Sequence, residues 1–369
     1  MKTDAVIIGG GIAGCATAYY LAKKGIRGVV LEKESAVGLE ASGRCACGVR
    51  QQGRKAALPL AMGSVRIWAG LAEELECDLE YRRTGNLKVV WEAGKPEELE
   101  KEAAWEHEQG LVEVRMVTAA ECQEIVPGLT GRTLAGKFCP TDGMANPMRV
   151  TPALARAASR LGALIRTHTL VTGLLKQGDR VCGVITDKGE IEAEVVINTA
   201  GPWAASLNGM AGCDTPIRPG LDTLMITERQ PRRFTPFLGF GWWGYALQPK
   251  SGNIIIGLEP GSNERFNHRV EPTEIAQKAR DMLEILPWLE GVTFLRTFSG
   301  ITEYTPDKEP YIGAIPGAPG FFTASGFSGQ GFCLGPMVGK TMAELVSGGE
   351  PGVSLAAFRP DRFAAQQAA

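Results

Sequence analysis

The chain has 369 residues, 44% hydrophobic and 22% charged, with 39 Lys and Arg against 41 Asp and Glu for a formal net charge of −2. Such a composition belongs to a soluble globular protein with a large core, divided into about two domains. It excludes a basic partner-binding surface for nucleic acid or anionic membrane, and no apolar run is long enough to span a bilayer.

From Val6 to Glu34 the chain reads as strand, helix and strand, with Gly9, Gly11 and Gly14 in G-x-G-x-x-G spacing. Each glycine has a job: a tight turn, close approach of backbone N–H groups to a pyrophosphate at the positive helix end, and close packing of helix on sheet. Glu32, 18 residues beyond Gly14, ends the second strand and is placed to accept ribose hydroxyls; its charge disfavours NADP. The alternative is a glycine-rich turn in an ordinary α/β unit, and the motif alone does not choose NAD over FAD. Lys2 before an apolar stretch imitates a signal peptide, but the glycine register and Lys23–Lys24 argue against one, and a cytoplasmic location is expected.

Residues 35–55, rich in Gly, Ser, Cys and Arg, read as a loop against a ligand. Helical spacing over 58–80 places Leu60, Val65, Trp68, Leu71 and Leu75 on one face. Residues 84–91 read as a strand and 95–110 as a charged helix with a solvated face. A helix is expected over 118–126, capped by Thr118 and stopped by Pro127. Residues 140–147 are a turn-rich loop, and a helix is expected over 151–163 from Thr151-Pro152. Strands follow around Ile165, 181–186 and 190–198. Alternating runs over 217–260 predict an antiparallel sheet, and a helix over 273–286 precedes Pro287. The tail returns to a strand, a glycine loop at 325–331 and a final helix. The nine cysteines are odd in number and scattered, which fits reduced thiols. Cys45 and Cys47 lack a second pair, so no metal site is expected, and three histidines (His107, His168, His268) leave little room for histidine-based chemistry.

The segments GGGIAGCATAYYLAKKG, EASGRCACGVRQQGR, PTDGMANP, NTAGPWA, TPDKEPYIG and ASGFSGQGFCLGPMVGK, in this order, resemble the D-amino-acid-oxidase-like FAD oxidoreductases. Within that group the chain is most similar to the β subunits of dye-linked L-proline dehydrogenase and of heteromeric sarcosine oxidase, opine and hydroxyproline dehydrogenases. The resemblance implies an α/β fold, in which a Rossmann-type FAD-binding domain (1–84, 148–215 and 300–369) is interleaved with an α+β substrate domain on an antiparallel sheet (85–147 and 216–299). It implies that Gly9, Gly11, Ile12, Ala13 and Gly14 hold the pyrophosphate, and Glu32 and Lys33 the adenosine end. Ser42, Gly43 and Arg44 would line the ribityl and pyrophosphate path, Cys45, Gly48 and Val49 would also contact the cofactor, and Val171 would touch adenine. Ala200, Gly201 and Trp203 would sit near the pyrophosphate. Gly326, Ser328, Gly329, Gln330, Gly331 and Phe332 would pass the pyrimidine edge, where a helix N-terminus stabilises negative charge.

Three departures from oxidase relatives bear on the reaction. Gly300 stands where they carry the cysteine that bonds FAD, so noncovalent FAD is implied. Ile255 stands at the position of an oxygen-activating lysine, and Cys333 at that of a carboxylate-binding lysine. The losses imply a dehydrogenase that passes electrons to another cofactor, with a partner α subunit. FMN shared with that partner would be noncovalent, since no histidine precedes the 151–163 helix. A peripheral association with a membrane through partners is compatible with this.

Oxidising an amine at flavin requires an oriented carbon and a neutral amine, which suits a chain poor in histidine. Arg50 is the candidate for the substrate carboxylate, and Tyr245 for a hydrogen bond to it or a cover over the ring. Glu259 is a candidate proton acceptor, with Gln52 and Gln330 as hydrogen-bond partners. Imino-acid dehydrogenation is the leading reading. The alternatives are a sarcosine or N-alkyl amino-acid oxidase, a 2-hydroxy-acid dehydrogenase and a noncatalytic flavin scaffold.

Overall fold

The computed structural model describes residues 1–241, 244–258 and 266–364; Trp242, Trp243 and Glu259 lie outside the described residues. The helices are α1 (Ile12–Lys23), α2 (Leu58–Glu74), α3 (Lys95–Glu108), α4 (Ala119–Ile125), α5 (Pro147–Arg160), α6 (Ala204–Met210), α7 (Pro272–Ile285) and α8 (Gly331–Val346).

Two eight-stranded sheets organise the chain. The first runs Tyr311–Ala314, Phe321–Ser325, Gly189–Asn198, Lys2–Ile8, Gly28–Leu31, Leu164–Arg166, with Arg180–Thr186 and Val171–Gln177 added through Gly189–Asn198. Its centre is parallel: Lys2–Ile8 pairs with both Gly189–Asn198 and Gly28–Leu31. A parallel strand is covered on both faces, and this one shows it. Ala5 and Ile7 join the core formed with α1, α2, α5 and α8, while Val6 and Ile8 join a separate cluster on the opposite face.

The second sheet runs Phe294–Tyr304, Arg218–Arg229, Asn253–Leu258, Gly244–Leu247, Phe237–Phe240, Asn86–Val90, Ala135–Cys139, Arg115–Thr118. It is antiparallel at every junction but one: Phe237–Phe240 lies parallel to Asn86–Val90. A two-residue ribbon, Gly48–Val49 against Gly143–Met144, ties the loop after the first βαβ unit to the PTDGMANP turn.

Local chemistry sets most helix ends. Thr118 and Glu121 cap each other reciprocally at the start of α4, and the helix stops before Pro127. Helix α5 starts four residues before the expected Thr151. Asn146 accepts the Met148 N–H at 3.0 Å and Pro147 takes the first turn, so Pro152 falls inside the helix. Helix α2 ends at Glu74, short of the expected 80, although Leu75 and Leu79 remain buried.

The solvated face expected on 95–110 is present, with Glu97, Glu98, Glu100, Lys101 and Glu108 exposed, but the helix also has a buried face. In α3, Leu99 and Ala103 are buried and Glu106 is fully enclosed. Glu106 meets the equally enclosed Lys137 at 2.7 Å, and Glu102 bridges Lys137 at 2.8 Å and Lys88 at 3.0 Å. Among the described residues no helix is long and apolar enough to cross a membrane.

Candidate active site

The first strand delivers the chain into a turn at Gly9, which adopts φ +102°. A Cβ there would lie 2.6 Å from the Thr199 carbonyl oxygen, and one on Gly14 would lie 2.0 Å from the Gly9 oxygen. Only glycine permits both approaches. The first N–H groups of α1 have no intrahelical partner. Ser42 Oγ accepts that of Ile12 at 2.9 Å, reaching across from the ligand-loop segment. Glu32 is buried, and its oxygens accept Gly10 N–H at 2.7 Å and Glu34 N–H at 2.8 Å. A carboxylate has about four lone-pair sites, so both oxygens retain capacity for hydroxyl donors.

A cavity of about 750 Å³ opens from this turn and also takes in Arg50 and Tyr245. Of the residues singled out in the sequence, it is lined by Gly9, Gly11, Ile12, Ala13, Glu32, Lys33, Ser42, Arg44, Cys45, Gly48, Val171, Ala200, Gly201, Trp203, Ser328, Gly329, Gln330, Gly331 and Phe332. Gly14, Gly43, Val49, Gly300 and Gly326 stand behind the wall instead. Gly43 packs on the Gly38 carbonyl, Gly300 on Arg44 and Gly326 on Thr305, while Val49 is wholly buried in the main core. Their contribution is close packing that shapes the lining.

The second sheet supplies the other wall. The Arg50 guanidinium lies 4.4 Å from the centre of the Phe237 ring, and its Nε is buried with no hydrogen-bond partner among the described residues. Burial, and then repulsion from Arg54, pull the Arg50 guanidinium down to about 10, so it stays a cation at neutral pH. The Tyr245 ring sits 5.3 Å from that of Phe237 and lies directly over Gly257, its cross-strand neighbour. Burial raises the Tyr245 hydroxyl far above its usual value, which keeps it a hydrogen-bond donor. Gln330 stands at the residue before α8 without a side-chain bond to the helix end, and its Nε2 donates to the Lys308 carbonyl at 3.3 Å. Its Oε1, like that of Gln52, is buried and unpartnered among the described residues. Burial pushes the Cys45 thiol up to about 12 and holds the Cys47 thiol well above its usual value, so both stay protonated. Cys333 donates to the Arg50 carbonyl at 3.3 Å and is likewise held up, at about 11. Ile255 packs against the main core.

Sequence reasoning did not single out several charged residues of the lining, among them Arg54, Asp222 and Glu303. Arg54 follows Arg50 by one helical repeat in the RQQGR run, and its Nε donates to the Arg50 carbonyl at 3.4 Å. Asp222 and Glu303 interrupt apolar strand patterns, which was the available signal. Asp222 accepts Thr302 Oγ1 at 2.8 Å and the Tyr304 hydroxyl at 2.9 Å, and burial raises it. Burial, with a smaller push from Asp222, holds Glu303 up at about 7.

These features suit a flavin dinucleotide. The glycine turn leaves room for a pyrophosphate, Glu32 for ribose hydroxyls, and the unpartnered Gln52 Oε1 and Gln330 Oε1 for the donors of a ring edge.

Comparison with known proteins agrees with the geometry. The crystal structure of L-proline dehydrogenase from P. horikoshii superposes with a TM-score of 0.94 at 31% identity, covering 99% of this chain and 98% of that one. Glycine oxidase from Geobacillus kaustophilus (strain HTA426) is 30% identical over 97% of this chain and 96% of its own length. The 4-methylaminobutanoate oxidase (formaldehyde-forming) of Paenarthrobacter nicotinovorans is 29% identical over 98% of this chain, which spans about half that relative's length (46%). The family model described as DAO, FAD dependent oxidoreductase, matches residues 4–345. The chain therefore belongs to the DAO family of FAD-dependent oxidoreductases.

Proposed function

We propose that the chain oxidises a secondary amino or imino acid of the kind represented by L-proline and hydroxyproline, as the catalytic β subunit of a complex that passes electrons onward rather than to oxygen. The observation that carries the reading is the Arg50 guanidinium, a cavity-lining cation with an enclosed, unpartnered Nε and no carboxylate in ion-pair contact among the described residues. A substrate carboxylate is the partner it lacks. Tyr245, protonated and over Gly257, donates to that carboxylate or covers the substrate ring.

For FAD, Gly9, Gly11, Ala200, Gly201 and Trp203 surround the pyrophosphate, with Gly14 packed behind them, and Glu32 and Val171 surround the adenosine. The loop from Gly326 to Phe332 follows the pyrimidine edge, and the start of α8 favours negative charge there. When bound, FAD takes up the hydride equivalent from the carbon beside the amine nitrogen. The neutral thiol of Cys333 and the core-packed Ile255, at positions where oxidase relatives carry lysines, support a dehydrogenase. A partner α subunit with an electron-transfer cofactor, and FMN held noncovalently between the two, complete this reading. The likeness to the P. horikoshii L-proline dehydrogenase supports it. The glycine oxidase relative favours a second reading, an oxidase, in which oxygen alone reoxidises the flavin and peroxide accumulates.

The test is anaerobic titration of the purified FAD-loaded chain with L-proline, hydroxyproline and sarcosine, following the flavin band near roughly 450 nm. Bleaching by one of them supports the proposal. A flavin that stays oxidised with all three refutes it, and rapid peroxide formation in air moves the assignment to the oxidase.

A further inference from the structure

Glu303 stands in the cavity wall although its strand belongs to the second sheet. Strand Phe294–Tyr304 pairs along its length with Arg218–Arg229, and Glu303, near its end, is only 6% exposed. Its Oε1 accepts the Phe327 N–H at a long 3.4 Å, and its backbone carbonyl accepts that of Ser328 at 3.0 Å. Oε2 lies 3.6 Å from the point that a Cβ on Gly201 would occupy. The charged group acting on Glu303 is Asp222, another carboxyl, already bonded to Thr302 and Tyr304. Glu303 is thus a buried carboxyl that faces ligand space without a cation.

Its two neighbours identify what it faces, given the FAD orientation proposed above. Gly201 belongs to the turn beside the pyrophosphate, and Phe327 and Ser328 to the loop along the flavin's pyrimidine edge. The part of FAD that joins these two is the ribityl chain, whose hydroxyls are donors. We propose that Glu303 is an FAD-binding residue, its Oε2 accepting a hydrogen bond from a ribityl hydroxyl. A phosphate oxygen in that place would meet a carboxyl of like charge, whereas a hydroxyl supplies the donor that a cation-free carboxylate needs.

The two partners predict opposite pH dependences. Glu303 changes charge near neutral pH. A hydroxyl donor favours the ionised form, so FAD binds more tightly as pH rises; a phosphate favours the protonated form, so binding weakens. The experiment strips FAD from the full chain, re-adds it, and reads Kd from flavin fluorescence at about pH 6 and about pH 8. It compares the natural chain with Glu303→Gln and Glu303→Ala.

The expected result is several-fold tighter binding at the higher pH in the natural chain, with the pH difference gone in both variants. At the higher pH, Glu303→Ala binds FAD about ten-fold more weakly, the scale of a hydrogen bond to a charged group. One of the three FAD analogues that each lack a single ribityl hydroxyl should lose a similar factor against the natural chain and nothing against Glu303→Ala. Affinity that falls with pH, a pH difference that survives in Glu303→Gln, or full affinity for all three analogues overturns the proposal. The analogue series and pH profile of the natural chain decide the matter even if a variant fails to fold.

Discussion

Replacing Arg50 by alanine separates a substrate contact from a structural one. The descent of the guanidinium from 12.5 to about 10 corresponds to roughly 3 kcal/mol of lost stabilisation of the charged form. Among the described residues no ion pair offsets that loss; the stacking on Phe237 returns about 1 kcal/mol. Arg50→Ala should therefore leave the melting temperature of the substrate-free protein unchanged or slightly raised. It should weaken binding of the true substrate by about 2–4 kcal/mol, since a substrate carboxylate then enters the closed site unpaired. Anaerobic flavin titration measures the affinity, and a thermal melt of the same samples measures the fold. Unchanged substrate affinity would refute the carboxylate role. A large drop in melting temperature with loss of FAD would show that Arg50 holds the structure instead.

Other outcomes follow from the same geometry. Lys137→Met leaves the enclosed Glu106 without its cation and should cost about 3–5 kcal/mol in urea unfolding, much of it recovered by adding Glu106→Gln. Glu303 is raised from 4.5 to about 7 in the fold, so it stays protonated in the folded state while the unfolded state ionises; stability is lost as pH rises through that window. In FAD-stripped protein, Glu303→Gln should match the natural chain below about pH 4.5 and exceed it by up to about 3 kcal/mol above about pH 7, as read by urea melts; equal stability across the range would contradict the assigned burial cost. Gly257→Ala places a Cβ 2.0 Å from the Tyr245 ring and must displace it, so substrate affinity should fall with little change in FAD content. A variant that keeps full affinity would remove Tyr245 from the site.

Local physical chemistry was readable in the chain itself. The spacing of Gly9, Gly11 and Gly14 after an apolar run dictates a strand–turn–helix whose close contacts only glycine tolerates. Thr118 with Glu121, and Pro127 beyond, delimit α4 through bonds made within one helical turn. Even the misplaced start of α5 had a local signal, Asn146-Pro147, which a second proline pair obscured. The family likeness reached further because it rests on the order of several such local motifs.

What the sequence by itself determined, then, was the family and its dependence on FAD, because each rests on motifs whose residues lie close together in the chain. Only the tertiary structure decided which charges are buried together. Glu106 reads as a solvated helix residue until Lys137 arrives from another strand. Asp222 and Glu303 enter the cavity wall because strands Arg218–Arg229 and Phe294–Tyr304 pair in one register, and the side chain a strand turns toward a cavity depends on that register. Burial then sets their protonation, a property of surroundings assembled from distant segments that no single segment encodes.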